Sequence, residues 1–253
     1  MSNRKEEIMS AMNNTAKVAL VFGGSRGIGA SIARRLAADG FQVALTYVSR
    51  PDKAEETVAA IKADGGAAIA IQADSANPAD IRNAVDQTVT SFGLLDVAVI
   101  NAGVLKMGTV DAVSIEDLDL SLNVNVRGVY LAIQAAAREM KDKGRIITIG
   151  SNTAIRTGSV GGSVYSMTKA AVAAMVKGIA LDLAPRGITV NNIQPGPTRT
   201  DMTAEMIDAL ATIVPLKRVG DPDEIAALAS YLAGETAGYM TGASLTIDGG
   251  FVL

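Results

Sequence analysis

An α/β fold, doubly wound in three layers around a parallel seven-stranded sheet, is what this 253-residue sequence predicts. Three observations carry that expectation. Apolar runs of strand length alternate with amphipathic helical stretches from Lys17 to Ile247, the connections between them are short, and small polar or glycine-rich turns follow several of the strands. Such alternation places crossover helices on both faces of a parallel sheet. Ligands of such sheets sit beyond the carboxyl ends of the strands, near the switch in strand order. No repeat or linker interrupts the pattern, so residues 16–253 read as one domain. Residues 1–15, polar and aperiodic, read as a disordered tail.

Composition narrows the chemistry. The chain is 49% hydrophobic and 19% charged, with a formal net charge of -3, no cysteine and no histidine. Disulfides, thiol nucleophiles, histidine bases, Ser-His-Asp triads and zinc sites are thereby excluded, and no metal site is expected. Acid/base work falls to Tyr, Lys, Asp, Glu or Ser. The mildly acidic balance gives a nucleic-acid partner no electrostatic support. No long uninterrupted apolar span and no signal-peptide pattern is evident, so a cytoplasmic protein without a membrane partner is expected.

Lys17–Phe22 (KVALVF) is a continuous apolar run, as in strands buried on both faces. It runs into Gly23-Gly24-Ser25-Arg26-Gly27-Ile28-Gly29, after which Ala30–Ala38 reads as a helix with Ile32 and Leu36 on one face. Strand, glycine turn and helix form the setting of a phosphate-binding loop, in which glycines admit the pyrophosphate and the helix N-terminus supplies free N–H groups. The spacing G-x-x-x-G-x-G meets neither the G-x-G-x-x-G pattern nor the P-loop, and a plain glycine-rich turn is the alternative.

Phe41–Tyr47 is the second strand and Asp52–Ala63 the second helix, with Asp52 as its expected cap. A site selective for NAD keeps an acid at the end of this strand for the ribose 2′-hydroxyl. Here Thr46, Tyr47, Val48, Ser49 and Arg50 stand instead. Arg26 and Arg50 suit a 2′-phosphate, which favours NADP(H) over NAD(H), the alternative being two solvated arginines.

Ala67–Ala73 is the third strand, ending at Asp74-Ser75, and Pro78–Phe92 the third helix. Leu94–Ile100 is the fourth strand, ending in Asn101-Ala102-Gly103. A long helix is expected over Asp117–Lys141 and a fifth strand over Arg145–Gly150, with Ser151 at its end. Gly187–Gln194 is the sixth strand, followed by Pro195-Gly196-Pro197-Thr198. Thr198–Arg218, irregular and rich in Met, Ile and Leu, is expected to be a mobile lid. Pro222–Ala233 is a helix capped by Asp221, and Ser244–Ile247 the last strand before Asp248-Gly249-Gly250. Gly23, Asp74, Asn101 and Ser151 thus converge at strand carboxyl ends.

Between the fifth and sixth strands, Gly161–Pro185 holds Tyr165-Ser166-Met167-Thr168-Lys169. In a helix, Tyr165 and Lys169 share one face a turn apart. A lysine charge beside a phenol favours the phenolate and draws its pKa down toward the operating range, making a general acid/base of the pair. An ordinary amphipathic helix with a chance Tyr and Lys satisfies the same spacing.

With these residues together, the chain from Lys17 to Gly250 resembles the single-domain short-chain dehydrogenase/reductases. It looks most like bacterial 3-oxoacyl-[acyl-carrier-protein] reductases (β-ketoacyl reductases) and related carbonyl reductases. The motifs that match are Gly23 to Gly29, Asp74, Asn101-Ala102-Gly103, Asn125, Ser151, Tyr165 with Lys169, and Pro195-Gly196. The resemblance implies a Rossmann-like fold and an NADPH-dependent oxidoreductase (EC 1.1.1.-) that interconverts a ketone, ketoester or β-ketoacyl group and a secondary alcohol.

Four catalytic residues follow from the match. Tyr165 would protonate the carbonyl oxygen as hydride arrives, Ser151 would donate a hydrogen bond to that oxygen, Lys169 would hold the nicotinamide ribose, and Asn125 would hold a water linking Lys169 to solvent. Cofactor contacts are implied at Gly23, Ser25, Arg26, Gly27, Ile28 and Gly29, and at Tyr47, Ser49 and Arg50. Further ones are implied at Asp74, Ser75, Asn101, Ala102 and Gly103, and at Tyr165, Lys169, Pro195, Gly196 and Thr198.

Three departures accompany the match. Phe22 stands where the family keeps a threonine, so a hydrogen bond to the fourth strand is expected to be lost. Ser151 precedes Tyr165 by fourteen positions, one more than is customary, and Asn152 holds the usual offset, the extra residue being expected within Thr153–Gly162. Ile100 replaces a frequent asparagine. The expected pocket lining (Leu105, Met107, Ile155, Val160, Met202, Met206) is mostly apolar and suits a small or medium apolar carbonyl substrate. A nucleotide-binding regulatory protein on the same fold is the alternative. The resemblance also implies a homotetramer, built through the small residues of Tyr165–Ala184 and Asp117–Lys141 and through Gly249–Leu253.

Overall fold

The computed structural model describes residues 16–253, and the tail expected over residues 1–15 lies outside the described residues. Strands β1 (Val18–Phe22), β2 (Gln42–Tyr47), β3 (Ala68–Gln72), β4 (Leu95–Ile100), β5 (Met140–Ile149), β6 (Thr189–Pro195) and β7 (Ser244–Ile247) form a seven-stranded sheet in the order β3-β2-β1-β4-β5-β6-β7. Every pairing is parallel. The chain winds outward from β1 to β3, then returns to lay β4 on the other side of β1. The strand order therefore switches between β1 and β4, and the loops that follow these two strands lie side by side at the sheet's carboxyl edge, where such folds place their ligands.

Side-chain alternation along each strand feeds two cores. Val18, Leu20 and Phe22 point to one face, where α3 (Pro78–Phe92), α5 (Val129–Glu139) and α6 (Ser163–Leu183) cover them with Ile81, Val85, Ile133 and Val172. Ala19 and Val21 point to the other, under α1 (Gly27–Ala38), α2 (Pro51–Ala63) and α8 (Pro222–Ala233), which contribute Ile32, Leu36, Ile61 and Ile225. Both faces being buried, the strands read as unbroken apolar runs, and the three-layer doubly wound arrangement forms as the sequence implies. The stretch Ser163–Arg186 is long and apolar enough to cross a membrane. It is a core helix here, with Val172, Val176, Ile179 and Ala180 buried against the sheet.

Four local expectations are corrected. Asp52 does not cap α2: Arg50 occupies the N-cap position, Pro51 opens the helix, and Asp52 lies in its first turn, where its carboxylate grips the Arg50 guanidinium. The long helix begins earlier than expected, as α4 (Ile115–Leu122) capped by Ser114, passes through a π-helical turn over Asn123–Gly128, and ends as α5 at Glu139. Arg186 stops it there by donating to the carbonyls of Ala137 and Met140, so that Met140 and Lys141 start β5 instead. The segment Thr198–Arg218 is less irregular than expected and contains α7 (Ile207–Ile213). Asp221, by contrast, caps α8 as foreseen, in a full capping box with Glu224.

Candidate active site

The glycine loop closes against the loop after β4 with no room for side chains. A Cβ on Gly29 would lie 2.1 Å from the Gly23 carbonyl oxygen, and one on Gly23, whose φ is +72°, 2.9 Å from the Ala102 Cα. The Asn101 side chain donates to the Gly23 carbonyl at 2.7 Å, and the Gly23 amide donates to Oγ1 of buried Thr46 at 2.9 Å. Phe22 has no hydroxyl to give the fourth strand, and the junction is held through its backbone instead. Its carbonyl accepts from the amides of Asn101 and Ala102 at 3.1 and 2.9 Å, and its ring fills the core.

Helix α1 starts here without a side-chain cap and with no acid in its first turn. Unmet N–H groups at a helix N-terminus beside tightly packed glycines fit a pyrophosphate by their donor chemistry. Ser25 fixes the loop from behind, its carbonyl accepting from Thr57 Oγ1 at 3.2 Å, and Ile28 packs onto the core under the helix.

Neither arginine is free. Arg50 is held in a fork by Asp52 at 2.7 and 3.0 Å, and Arg26 reaches Asp201, on the segment after Thr198, at 3.2 Å. Both pairs are exposed, so each is weak and exchangeable for a stronger anion. Thr200 lies against Gly27, which brings that segment onto the glycine loop. Tyr47, at the end of β2, and Ser49 precede Arg50. Asp74 turns the chain after β3 by accepting from the Ala76 amide at 2.8 Å, while the Ser75 carbonyl packs against Gly128 of the π-helical turn. Beyond β6, Gly196 donates to the Ile247 carbonyl at 3.0 Å, and the Thr198 hydroxyl folds back onto the Gly196 carbonyl at 2.9 Å.

Tyr165, Lys169, Ser151 and Asn125 come together between α6, the end of β5 and the π-helical turn. Lys169 is buried, its Nζ 5.6 Å from the Tyr165 ring centroid and donating to the Ile149 carbonyl at 3.0 Å. Burial lowers its pKa to about 8. The expected lowering of Tyr165 is not what the geometry produces: burial raises the phenol, and a hydrogen bond with Ser151 only partly offsets it. Ser151 Oγ accepts from both the amide and the hydroxyl of Thr153, at 3.2 and 2.9 Å, which leaves its own proton to donate. Asn152, at the customary offset, turns away to Asp248.

Asn125 is tied to the loop after β4. Its side-chain amide is engaged at both ends, Oδ1 accepting from the Val104 amide at 2.9 Å and Nδ2 donating to the Val104 carbonyl at 2.8 Å. Nδ2 also faces Thr168 Oγ1 at 3.2 Å. The side chain therefore braces the strand-end loop, setting Gly103 close to Lys169.

Thr46, Thr153 and Asp201 were missed by sequence reasoning. Only Thr153 carries a local signal, a hydroxyl two residues after Ser151; the other two act across long stretches of chain.

The enoyl-(acyl carrier protein) reductase family matches residues 23–252. The cyclic-di-GMP-binding biofilm dispersal mediator protein of Escherichia coli is 40% identical over 240 residues, spanning 94% of this chain and 98% of that one. A 3-oxoacyl-[acyl-carrier-protein] reductase of Synechocystis is 39% identical over 243 residues, spanning 94% and 98%. Among solved structures, a short chain dehydrogenase from Burkholderia cenocepacia in complex with NADP is 48% identical. It superposes with a TM-score of 0.91 over 94% of this chain and 98% of its own.

The buried lysine has a stability signature. Its folded pKa of about 8 lies below the ordinary 10.5, so the burial penalty is full below pH 8 and lifts as pH rises from about 8 toward 10.5. Lys169→Met, which carries no charge, should melt higher than the parent at pH 7. That advantage should shrink by pH 9.5 in parallel thermal scans.

Proposed function

The chain belongs to the short-chain dehydrogenase/reductase family, and from that premise we propose that it is an NADPH-dependent reductase of small or medium apolar ketones, ketoesters or β-ketoacyl groups. Family membership makes it an NAD(P)-dependent oxidoreductase of carbonyl compounds, EC 1.1.1.-. The observation that carries the finer reading is the meeting of Tyr165, Lys169 and Ser151 beside the uncapped start of α1.

The uncapped N-terminus of α1 would hold the pyrophosphate, Arg26 and Arg50 the 2′-phosphate once they leave Asp201 and Asp52, and Lys169 the nicotinamide ribose. Bound NADPH supplies the hydride. Burial keeps the Tyr165 phenol protonated at neutral pH, which is the form an acid must have to protonate a carbonyl oxygen. The Ser151 proton, left free by Thr153, points stabilisation at the oxygen where charge develops. Lys169, still largely cationic at pH 7, steadies the phenolate that remains. Asn125 serves as a brace for Val104.

The substrate class rests on the rim of the site. Met107, Ile155 and Val160 are 52%, 57% and 85% exposed, and the Gly108 amide ties its loop to the Gly161 carbonyl at 3.0 Å. An apolar rim of this kind favours an apolar substrate over a sugar. The second reading, a regulatory nucleotide binder, is favoured by the name of the Escherichia coli relative. The acid, its serine and its lysine have no use in a pure binder, and NADPH consumption with a panel of ketones separates the two. A cytoplasmic location accompanies the reductase reading.

A homotetramer also belongs to this reading. Ala170, Ala174 and Gly178 of α6 are exposed, a Cβ on Gly178 would touch nothing within 4 Å, and Met167 and Leu181 stand out beside them. The alanines of α5 do not serve as expected, because Ala132, Ala135 and Ala136 are buried within the subunit. Tyr130 is the exposed residue of that helix suited to pairing with a second α6. With a second contact at Gly249–Leu253, two isologous interfaces give a D₂ assembly.

Tyr165→Phe should cut ketone reduction about 10²–10⁴-fold while NADPH still binds, read by turnover and by fluorescence titration; retention of a tenth of the rate would refute Tyr165 as the acid. The kcat/KM ratio should favour NADPH over NADH and collapse in Arg26→Ala with Arg50→Ala, and an unchanged ratio would count against the arginines. Light scattering should return about four times the 26.0 kDa of one chain. A single-chain mass would sink the assembly.

A further inference from the structure

We infer that the C-terminal segment Asp248–Leu253 belongs to the catalytic apparatus, Asp248 acting through Asn152 to position the Ser151 hydroxyl. The inference rests on the reductase reading and adds a positioning pair to it.

Asn152 is buried, 3% exposed, and its Nδ2 donates to Asp248 Oδ2 at 3.2 Å. That carboxylate is itself held rigidly: Oδ1 accepts from the Gly250 amide at 2.9 Å and Oδ2 from the Val252 amide at 3.1 Å. Two further contacts tie the same segments. Arg156 Nη1 donates to the Phe251 carbonyl at 3.2 Å, and the Phe251 ring lies 3.2 Å from where a Cβ on Gly158 would stand. The loop after Ser151 is thus fastened to the chain's last residues at three places.

On its other side the segment meets the Pro195-Gly196 turn and the end of the stretch from Thr198 to Arg218. A Cβ on Gly196 would be 2.5 Å from the Asp248 Cβ, and the Leu216 amide donates to the Gly249 carbonyl at 3.2 Å. Asp248 therefore stands between the Pro195-Gly196 turn and the serine loop.

The geometry at Ser151 explains why this fastening matters. Both groups that fill the serine's lone pairs come from Thr153, inside the short turn Asn152–Ala154. The direction of the serine proton follows from where that turn sits. Asn152 is the turn's buried side-chain anchor, and a hydrogen bond to a carboxylate is stronger than a neutral one. Asn152 turned toward Asp248 leaves the place beside Tyr165 to Ser151.

Asn152→Ala should lower kcat about ten- to hundredfold, since a displacement near 1 Å costs on that order, with the Kd for NADPH unchanged. In a Ser151→Ala background the same change should cost nothing more, because the pair acts through that serine. Hydrogen exchange at the Thr153–Gly158 amides should quicken in Asn152→Ala. The exchanged pair, Asn152→Asp with Asp248→Asn, should recover part of the rate lost in Asn152→Asp alone. An equal kcat loss in both backgrounds, or full kcat with unchanged exchange, overturns the inference and leaves the reductase reading standing. A parent chain whose rate ignores Ser151→Ala overturns the serine assignment, and this inference falls with it.

Discussion

The hydrogen bond from Lys169 to the Ile149 carbonyl locks the site together. It joins α6 to the end of β5 two residues before Ser151, so one contact sets the register between the helix that carries the phenol and the strand that carries the serine. The cation is buried with that carbonyl as its hydrogen-bond partner among the described residues, an arrangement that lowers its pKa and marks the cleft as a functional site. Around it the other pieces follow. Gly103 sits within reach because Asn125, in the π-helical turn, grips Val104 at both ends.

Much of this was legible in the chain. KVALVF read as a strand buried on both faces and LLDVAVI as a strand, and the glycines after the first fell where two loops meet without side-chain room. With no histidine or cysteine in the chain, acid/base chemistry falls to residues such as Tyr165 and Lys169. Those readings succeeded because they depend on local pattern or elimination.

What escaped depends on partners distant in sequence. Helix α5 stops at Glu139 because Arg186, nearly fifty residues later, takes its last carbonyls, and no pattern at the helix end announces that. Asp52 looks like a cap in any propensity scheme, yet Pro51 starts the helix one residue earlier and frees the carboxylate for Arg50. Asn125 sits in a turn of i→i+5 pitch, which rotates side chains away from the faces that a 3.6-residue period assigns. The Tyr165 pKa was misjudged for a similar reason: spacing shows a neighbouring charge but not the desolvation that outweighs it.

The want of histidine has a wider consequence. Around the carbonyl site the groups named here are a phenol raised above its ordinary range, a neutral hydroxyl, a neutral amide and an ammonium that lets go of its proton near pH 8. None of them changes state between about pH 5 and 7. Acidification therefore leaves the Tyr165 acid loaded, where an imidazole-based acid would be titrating through its midpoint.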